Sequence, residues 1–334
     1  MFQQRSVVRS EVLSSRRTDR ISIASRDDFV VGAAERVSMA IARQSQLLPY
    51  CLDFARWRTV FVGGVDLKEA QQAPFYYLHL RRTARSIVTV PWGRGALYEG
   101  PARAPIFVFS PGRCGSTLLS RILIESGVAN VSEPDFYTQA TSAFFSSPIN
   151  PVRNLVQQVT ANMGSDLCSL LAPCGALVAK LRAEACRAPR LLLQKQEQRT
   201  LFMTRDFEGW ARSTGRAFRN GPRKAVNKYL TAMTCYKHLL NNSDCHLLRY
   251  EDLVAEPSRV CRSLGQFLNV EISPEAVFSA MATDSQQGTP LEQGARGGDE
   301  IAEQRVQKTL DLWNSNKVRR IRDRLGLSRM ELSA

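Results

Sequence analysis

Histidine is scarce, with three residues in 334, and the eight cysteines (Cys51, Cys114, Cys168, Cys174, Cys186, Cys235, Cys245 and Cys261) include no CxxC pair. This combination argues against a zinc centre, and the chain is read as needing no metal. Scattered cysteines of this kind fit reduced thiols in a cytoplasmic protein better than a disulfide framework. No apolar run approaches the roughly 18 residues that a membrane span needs, and the N-terminus has no signal-peptide core, so the expectation is a cytoplasmic protein without a membrane span. Acidic residues are in deficit: 31 Asp and Glu against 45 Lys and Arg leave a formal net charge of +14. That charge favours anionic ligands such as nucleotides or sulfated and phosphorylated molecules. Nucleic acid is not expected as a partner, because the basic residues are not interleaved with aromatics as in a single-strand platform.

Hydrophobic residues at 44% and charged residues at 23% are ordinary globular values, and the length allows one large domain or two. Residues 1–26, rich in Arg and Ser and poor in acids, read as a disordered tail. Residues 27–100 read as a mixed α/β preamble, with a helical stretch "DDFVVGAAERVSMAIARQSQLL" and a short strand "SIVTVPWGRG" that stops at Pro91 and Gly93. From Pro105 onward, apolar segments "IFVF", "VANV", "GALVAKL", "TLFMT" and "CHLLRY" alternate with helical patterns. The alternation predicts a parallel sheet with helices on both faces, a three-layer α/β sandwich. Among those helices, "NPVRNLVQQVTANM" has Asn150 as its expected cap and Pro151 in the first turn, and the C-terminal segment reads as one or two surface helices.

The strand "PIFVF" runs into Ser110, Pro111, Gly112, Arg113, Cys114, Gly115, Ser116 and Thr117, where an apolar helix begins. Two glycines that let N–H groups turn inward, together with a helix N-terminus, make an anion cradle. The lysine of a Walker A loop is missing: Gly115 precedes Ser116, and the only cation in the turn is Arg113. Arg113 offers a planar fork for phosphate or sulfate oxygens, with Ser116 and Thr117 adding hydroxyls. A tight strand-to-helix turn is the plainer reading of the same residues. A second strand, "TLFMT", ends in Arg205, with Ser213 eight residues later on the following helix. Strand C-terminal ends line the ligand crevice of a doubly wound sheet, so Arg205 is placed for a second anionic group. Two separated anion sites suit a ligand phosphorylated at both ends.

In this order, "SPGRCGSTLL", "RDFEGWARS" and "LRYEDLVAEPSRVCRSLGQFLNV" resemble the three motifs of the sulfotransferases that use 3′-phosphoadenosine 5′-phosphosulfate. The resemblance implies a P-loop-like sulfotransferase domain over residues 101–334. It implies Arg113, Cys114, Gly115, Ser116 and Thr117 at the 5′-phosphosulfate, Arg205 and Ser213 at the 3′-phosphate, and Tyr250 near the nucleotide. Arg113 in place of lysine is shared with the tyrosylprotein, carbohydrate and bacterial branches. No histidine lies between the loop and Arg205, where the cytosolic enzymes carry their base. By resemblance to the tyrosylprotein branch, Glu133 takes that role, with Asp135 as the alternative; Glu133 as a mere helix cap stays open. Lys180 sits inside an apolar strand, so it must snorkel out or point into the crevice. The family's lysine on this strand makes it a candidate for stabilising the leaving group. Ser285, Gln286 and Gly288 resemble a late segment that closes over the adenosine, and a mobile polar loop reads equally well. The implied acceptor is a hydroxyl of a carbohydrate, a tyrosine or a small molecule, with an amine less favoured. A nucleotide-dependent kinase and a non-catalytic nucleotide or nucleic-acid binder are the rival readings; magnesium dependence separates the first.

Overall fold

The computed structural model describes residues 6–19, 21–193, 198–282 and 300–327. Five N-terminal strands, β1 (Val7–Ser15), β2 (Phe29–Val37), β3 (Leu48–Asp53), β4 (Arg58–Gly63) and β5 (Ser86–Pro91), form an antiparallel sheet in the order β2-β1-β5-β4-β3. Two expectations are corrected here. The stretch read as a disordered tail contains β1, an interior strand that pairs with both β2 and β5. The stretch read as helical from Asp27 holds β2 and then only a short helix, Met39–Arg43. The β-branched residues Val30, Val31 and Val37 find cross-strand partners in β1, and that non-local pairing overrides a helix-like spacing of apolar residues.

The link between β1 and β2 is pinned by a buried charge network. Asp28, fully buried, accepts hydrogen bonds from the Tyr50 hydroxyl, the Ser25 N–H (2.8 Å) and Arg17 Nε (2.7 Å), and pairs with the equally buried Arg81 at 3.2 Å. Arg81 donates in turn to the carbonyls of Arg17 (3.0 Å) and Ser22 (3.1 Å). Removing one member would strand a buried charge, at a cost of about 3–5 kcal/mol.

The second sheet is wholly parallel. Its strands are β6 (Ile106–Phe109), β7 (Asn130–Ser132), β8 (Val178–Lys180), β9 (Arg199–Thr204) and β10 (Asp244–Arg249), in the order β10-β9-β6-β8-β7. Alternation along β6 serves both faces. Ile106 and Val108 pack with the helices Ser116–Glu125, Pro257–Leu268 and Pro274–Ala282. Phe107 and Phe109 join the core of the helices Asp135–Ser146, Asn150–Leu171 and Pro222–Asn242. The result is the expected α/β sandwich with a P-loop-like strand, loop and helix at its centre. Asn150 is the first helical residue and not the cap, which falls on Ile149 without a side-chain bond. The C-terminal segment forms two helices, Glu300–Asn314 and Asn316–Leu325. Among the described residues no helix is long and apolar enough to cross a membrane.

One apolar core is continuous between the sheets, running from Tyr50, Val60 and Val88 to Phe107, Phe136 and Phe202. The N-terminal sheet is therefore packed against the parallel sheet and does not hang from it as an appendage.

Candidate active site

The chain past the end of each parallel strand carries a residue singled out in the sequence: the anion loop after β6, Glu133 after β7, Lys180 at the end of β8, Arg205 after β9 and Tyr250 after β10. The open edge of such a sheet, at the strand where the chain order reverses, is where α/β proteins bind ligands.

The loop after β6 turns through three left-handed residues, Gly112 (φ 73°), Arg113 (φ 59°) and Gly115 (φ 85°), before the helix starts at Ser116. Gly115 is required by its neighbours. A Cβ there would lie 2.4 Å from Tyr250 Cδ2, so the Tyr250 ring packs directly on the loop. Trp210, fully buried, donates from Nε1 to the Gly112 carbonyl at 2.7 Å and fixes the loop to the helix after β9. Arg113 Nε donates to Ser213 Oγ at 3.4 Å, so residues of two motifs a hundred positions apart meet. Cys114 departs from the expectation: its fully buried thiol donates to the Met203 carbonyl, and burial pushes the thiol up to about 11. Only its backbone is left for a ligand.

Arg205 stacks over Tyr250, 4.4 Å from the ring centroid, and lies 4.0 Å from Glu251 Oε1. Its buried Nε has no hydrogen-bond partner. A buried guanidinium nitrogen left open in this way invites an anionic acceptor. Asp206 caps the following helix by accepting from the Gly209 N–H at 2.7 Å, which sets the direction of the Ser213 helix. Glu251 accepts from the Asp206 N–H at 3.2 Å, and burial together with the adjoining Asp206 raises its carboxyl above the usual range.

At the other end of the crevice Glu133 is held between two cations, with Lys180 Nζ at 3.2 Å and Arg182 Nε at 3.3 Å. Lys180 is only 2% exposed and does not snorkel out: its ammonium also reaches Thr117 Oγ1 at 3.4 Å and stands over the Phe75 ring. Glu133, Lys180 and the anion loop are therefore contiguous. Asp135 is fully buried, bonded to the Ala24 N–H and 3.2 Å from Arg182. Burial raises its carboxyl to about 6, against the pull of Arg182 and the Ala24 N–H. Closed in on all sides, Asp135 orients Arg182 and does not face the crevice.

Three contributors were not read from the sequence. Arg182 lies two residues after Lys180, and the two-residue period of a strand continued past β8 was the signal that both cations share a face. Lys228, on the Pro222–Asn242 helix, places Nζ 3.8 Å from where a Gly112 Cβ would stand. It brings a lysine ammonium beside the loop from another element, and no local pattern announces it. The N-terminal sheet and its connections form one wall: Tyr77 stacks under Arg182 at 4.3 Å, Phe75 lies under Lys180, and the Pro74 carbonyl accepts from Ser132 Oγ at 2.8 Å. Ser285, Gln286 and Gly288 lie outside the described residues. Among the described residues no group of three His, Cys, Asp or Glu side chains is placed to hold a metal ion.

No protein-family model and no curated sequence matches the chain. Among solved structures it is similar to the sulfotransferase domain from the curacin biosynthetic pathway, at 18% identity over 68% of this chain and 99% of that one, with a TM-score of 0.40. It is also similar to a sulfotransferase from Alicyclobacillus acidocaldarius (12% identity, 64% and 96% covered, TM-score 0.35) and to a mouse sulfotransferase complexed with PAP (13%, 68% and 84%, TM-score 0.34).

Proposed function

We propose that this chain is a sulfotransferase that moves the sulfuryl group of 3′-phosphoadenosine 5′-phosphosulfate to an acceptor hydroxyl on a carbohydrate, a tyrosine or a small molecule. The observation that carries the reading is the meeting of an anion loop, two further cations and a carboxylate at the ends of adjacent parallel strands, with Lys180 touching both Glu133 and Thr117. Arg113, Gly115, Ser116, Thr117 and the Cys114 backbone hold the phosphosulfate, with Lys228 beside them. Arg205, with its open Nε, and Ser213 take the 3′-phosphate, and Tyr250 flanks the nucleotide.

In the reaction the acceptor O–H proton passes to the Glu133 carboxylate as the acceptor oxygen bonds to sulfur. The bond from sulfur to the bridging phosphate oxygen breaks, its electron pair leaving with 3′-phosphoadenosine 5′-phosphate. Lys180 meets the charge that develops on that oxygen, and Arg182 keeps Glu133 in place. Like phosphoryl transfer, such a step is driven mainly by positioning and charge stabilisation.

Calorimetric titration with 3′-phosphoadenosine 5′-phosphate, in parallel with ATP, tests the reading. The expected result is saturable binding without magnesium, absent in Arg205→Ala and unmatched by ATP. A preference for magnesium–ATP would instead favour a kinase.

A further inference from the structure

Away from the crevice, a groove of about 700 Å³ lies between the end of the Asp135–Ser146 helix, residues 186–190 and the Pro222–Asn242 helix. Its size is that of a small-molecule site. Phe144, Phe145 and Leu230 give it an apolar floor, and Phe145 is 55% exposed, an unusual outlay for a large aromatic. Arg153, Arg187 and Arg190 surround that floor, and among the described residues no Asp or Glu lines the groove. Arg187 stacks on Phe145 at 4.4 Å and Arg153 lies over Phe144 at 5.5 Å. Among the described residues none of the three pairs with a carboxylate, although the molecule pairs many of its other arginines.

The groove is distinct from the crevice but adjoins it. Phe144 lies nine helical residues beyond Asp135, about 14 Å along the helix that starts just after Glu133. Cys186, which lines the groove, donates its thiol to the Ser110 carbonyl where the anion loop begins.

We infer that this groove binds an anionic amphiphile: an aliphatic or aromatic body lies on Phe144, Phe145 and Leu230, and its single anionic head is held by Arg187 and Arg190. An apolar floor ringed by guanidinium groups that have no carboxylate partner among the described residues satisfies both halves of such a molecule. A membrane surface would demand a convex apolar patch, whereas this one is concave and of ligand size. The inference does not depend on which nucleotide the loop takes.

The test titrates the full chain with decanoate and with decanol, both below micelle-forming concentrations. Decanoate is expected to bind one to one and at least tenfold more tightly than decanol. Substituting both Arg187→Gln and Arg190→Gln, at solvent-facing positions, should erase that preference, and Phe145→Ala should weaken both ligands while circular dichroism stays unchanged. The inference is overturned by absence of saturable decanoate binding, by equal affinity for the two ligands, or by full affinity in the double glutamine variant. It is equally overturned if the chain binds phosphatidylglycerol vesicles and decanoate does not compete. Titration of each variant with 3′-phosphoadenosine 5′-phosphate reads the crevice separately: its failure in the wild type would sink the proposed function and leave the groove standing.

Discussion

Glu133 stands at φ +60°, a left-handed conformation that costs a residue bearing a Cβ about 1–2 kcal/mol. The turn aims its carboxylate between Lys180 and Arg182, at the one end of the crevice where a proton acceptor, a cation and the anion loop are in contact. Glu133→Gln keeps the shape and removes the base. Its turnover should fall about 10²–10⁴-fold, while its affinity for 3′-phosphoadenosine 5′-phosphate, read by calorimetry, stays within twofold. Unchanged turnover would leave Glu133 as an anchor for the two cations. Lys228→Met, which removes the cation beside Gly112, should weaken the same nucleotide roughly tenfold, about 1.4 kcal/mol, and Lys228→Arg should restore most of the loss. Residues that belong to a contiguous motif, such as Arg113 and Ser116, were legible because spacing and chemistry coincide within a few positions. Lys228 was not, since it gains meaning only when its helix is laid across a loop more than a hundred residues earlier.

The loop between β6 and the Ser116–Glu125 helix turns on two glycines of positive φ, and at Gly115 the Tyr250 ring also excludes a side chain. Gly115→Ala would both strain a positive φ and drive a methyl group into the Tyr250 ring. We expect a loss of about 1–3 kcal/mol in unfolding free energy by denaturant titration, with nucleotide binding lost; a variant of full affinity would show that Tyr250 moves freely. The parallel strands were legible because buried strands write themselves as short apolar runs between helical patterns. β1 and β2 were not. Polar residues such as Arg9, Glu11 and Glu35 interrupt them, and their valines earn burial only from partners found by long-range pairing. The helix Asn150–Leu171 carries a different record: Asp166 on it is buried, accepts from the Tyr98 N–H at 2.8 Å, and is raised by that burial from 3.8 to about 6. A carboxyl raised on folding contributes stability that is present below pH 3.8 and lost as pH rises through 6. Asp166→Asn should therefore be more stable than the wild type at pH 8, by about 1–3 kcal/mol, with the gap closing toward pH 4. A gap that does not change with pH would count against this account.

At the scale of the molecule, the N-terminal sheet and its connections are packed into the wall of the candidate site. Ala24 fixes Asp135, Phe75 and Tyr77 back the two cations, and one apolar core joins the sheets. Deleting residues 1–25 would remove an interior strand of the first sheet, so the truncated chain should be insoluble or lack a cooperative thermal transition; a fully active truncation would contradict the arrangement described here. Composition offered no hint of this, because the segment's polarity matches that of a disordered leader and its fate is decided by β5 and by the buried Asp28–Arg81 pair. The ribbon from Lys180 to Arg190 threads the whole assembly: Lys180 grips Glu133, Arg182 rests on Tyr77, Ala183 faces Gly112, Cys186 bonds to Ser110, and Arg187 and Arg190 edge the groove. A segment shared in this way joins the crevice to the groove along one stretch of chain. Were an occupant of the groove to change nucleotide affinity by some factor, the nucleotide would change the occupant's affinity by the same factor, and the ribbon is the segment through which such a change would pass.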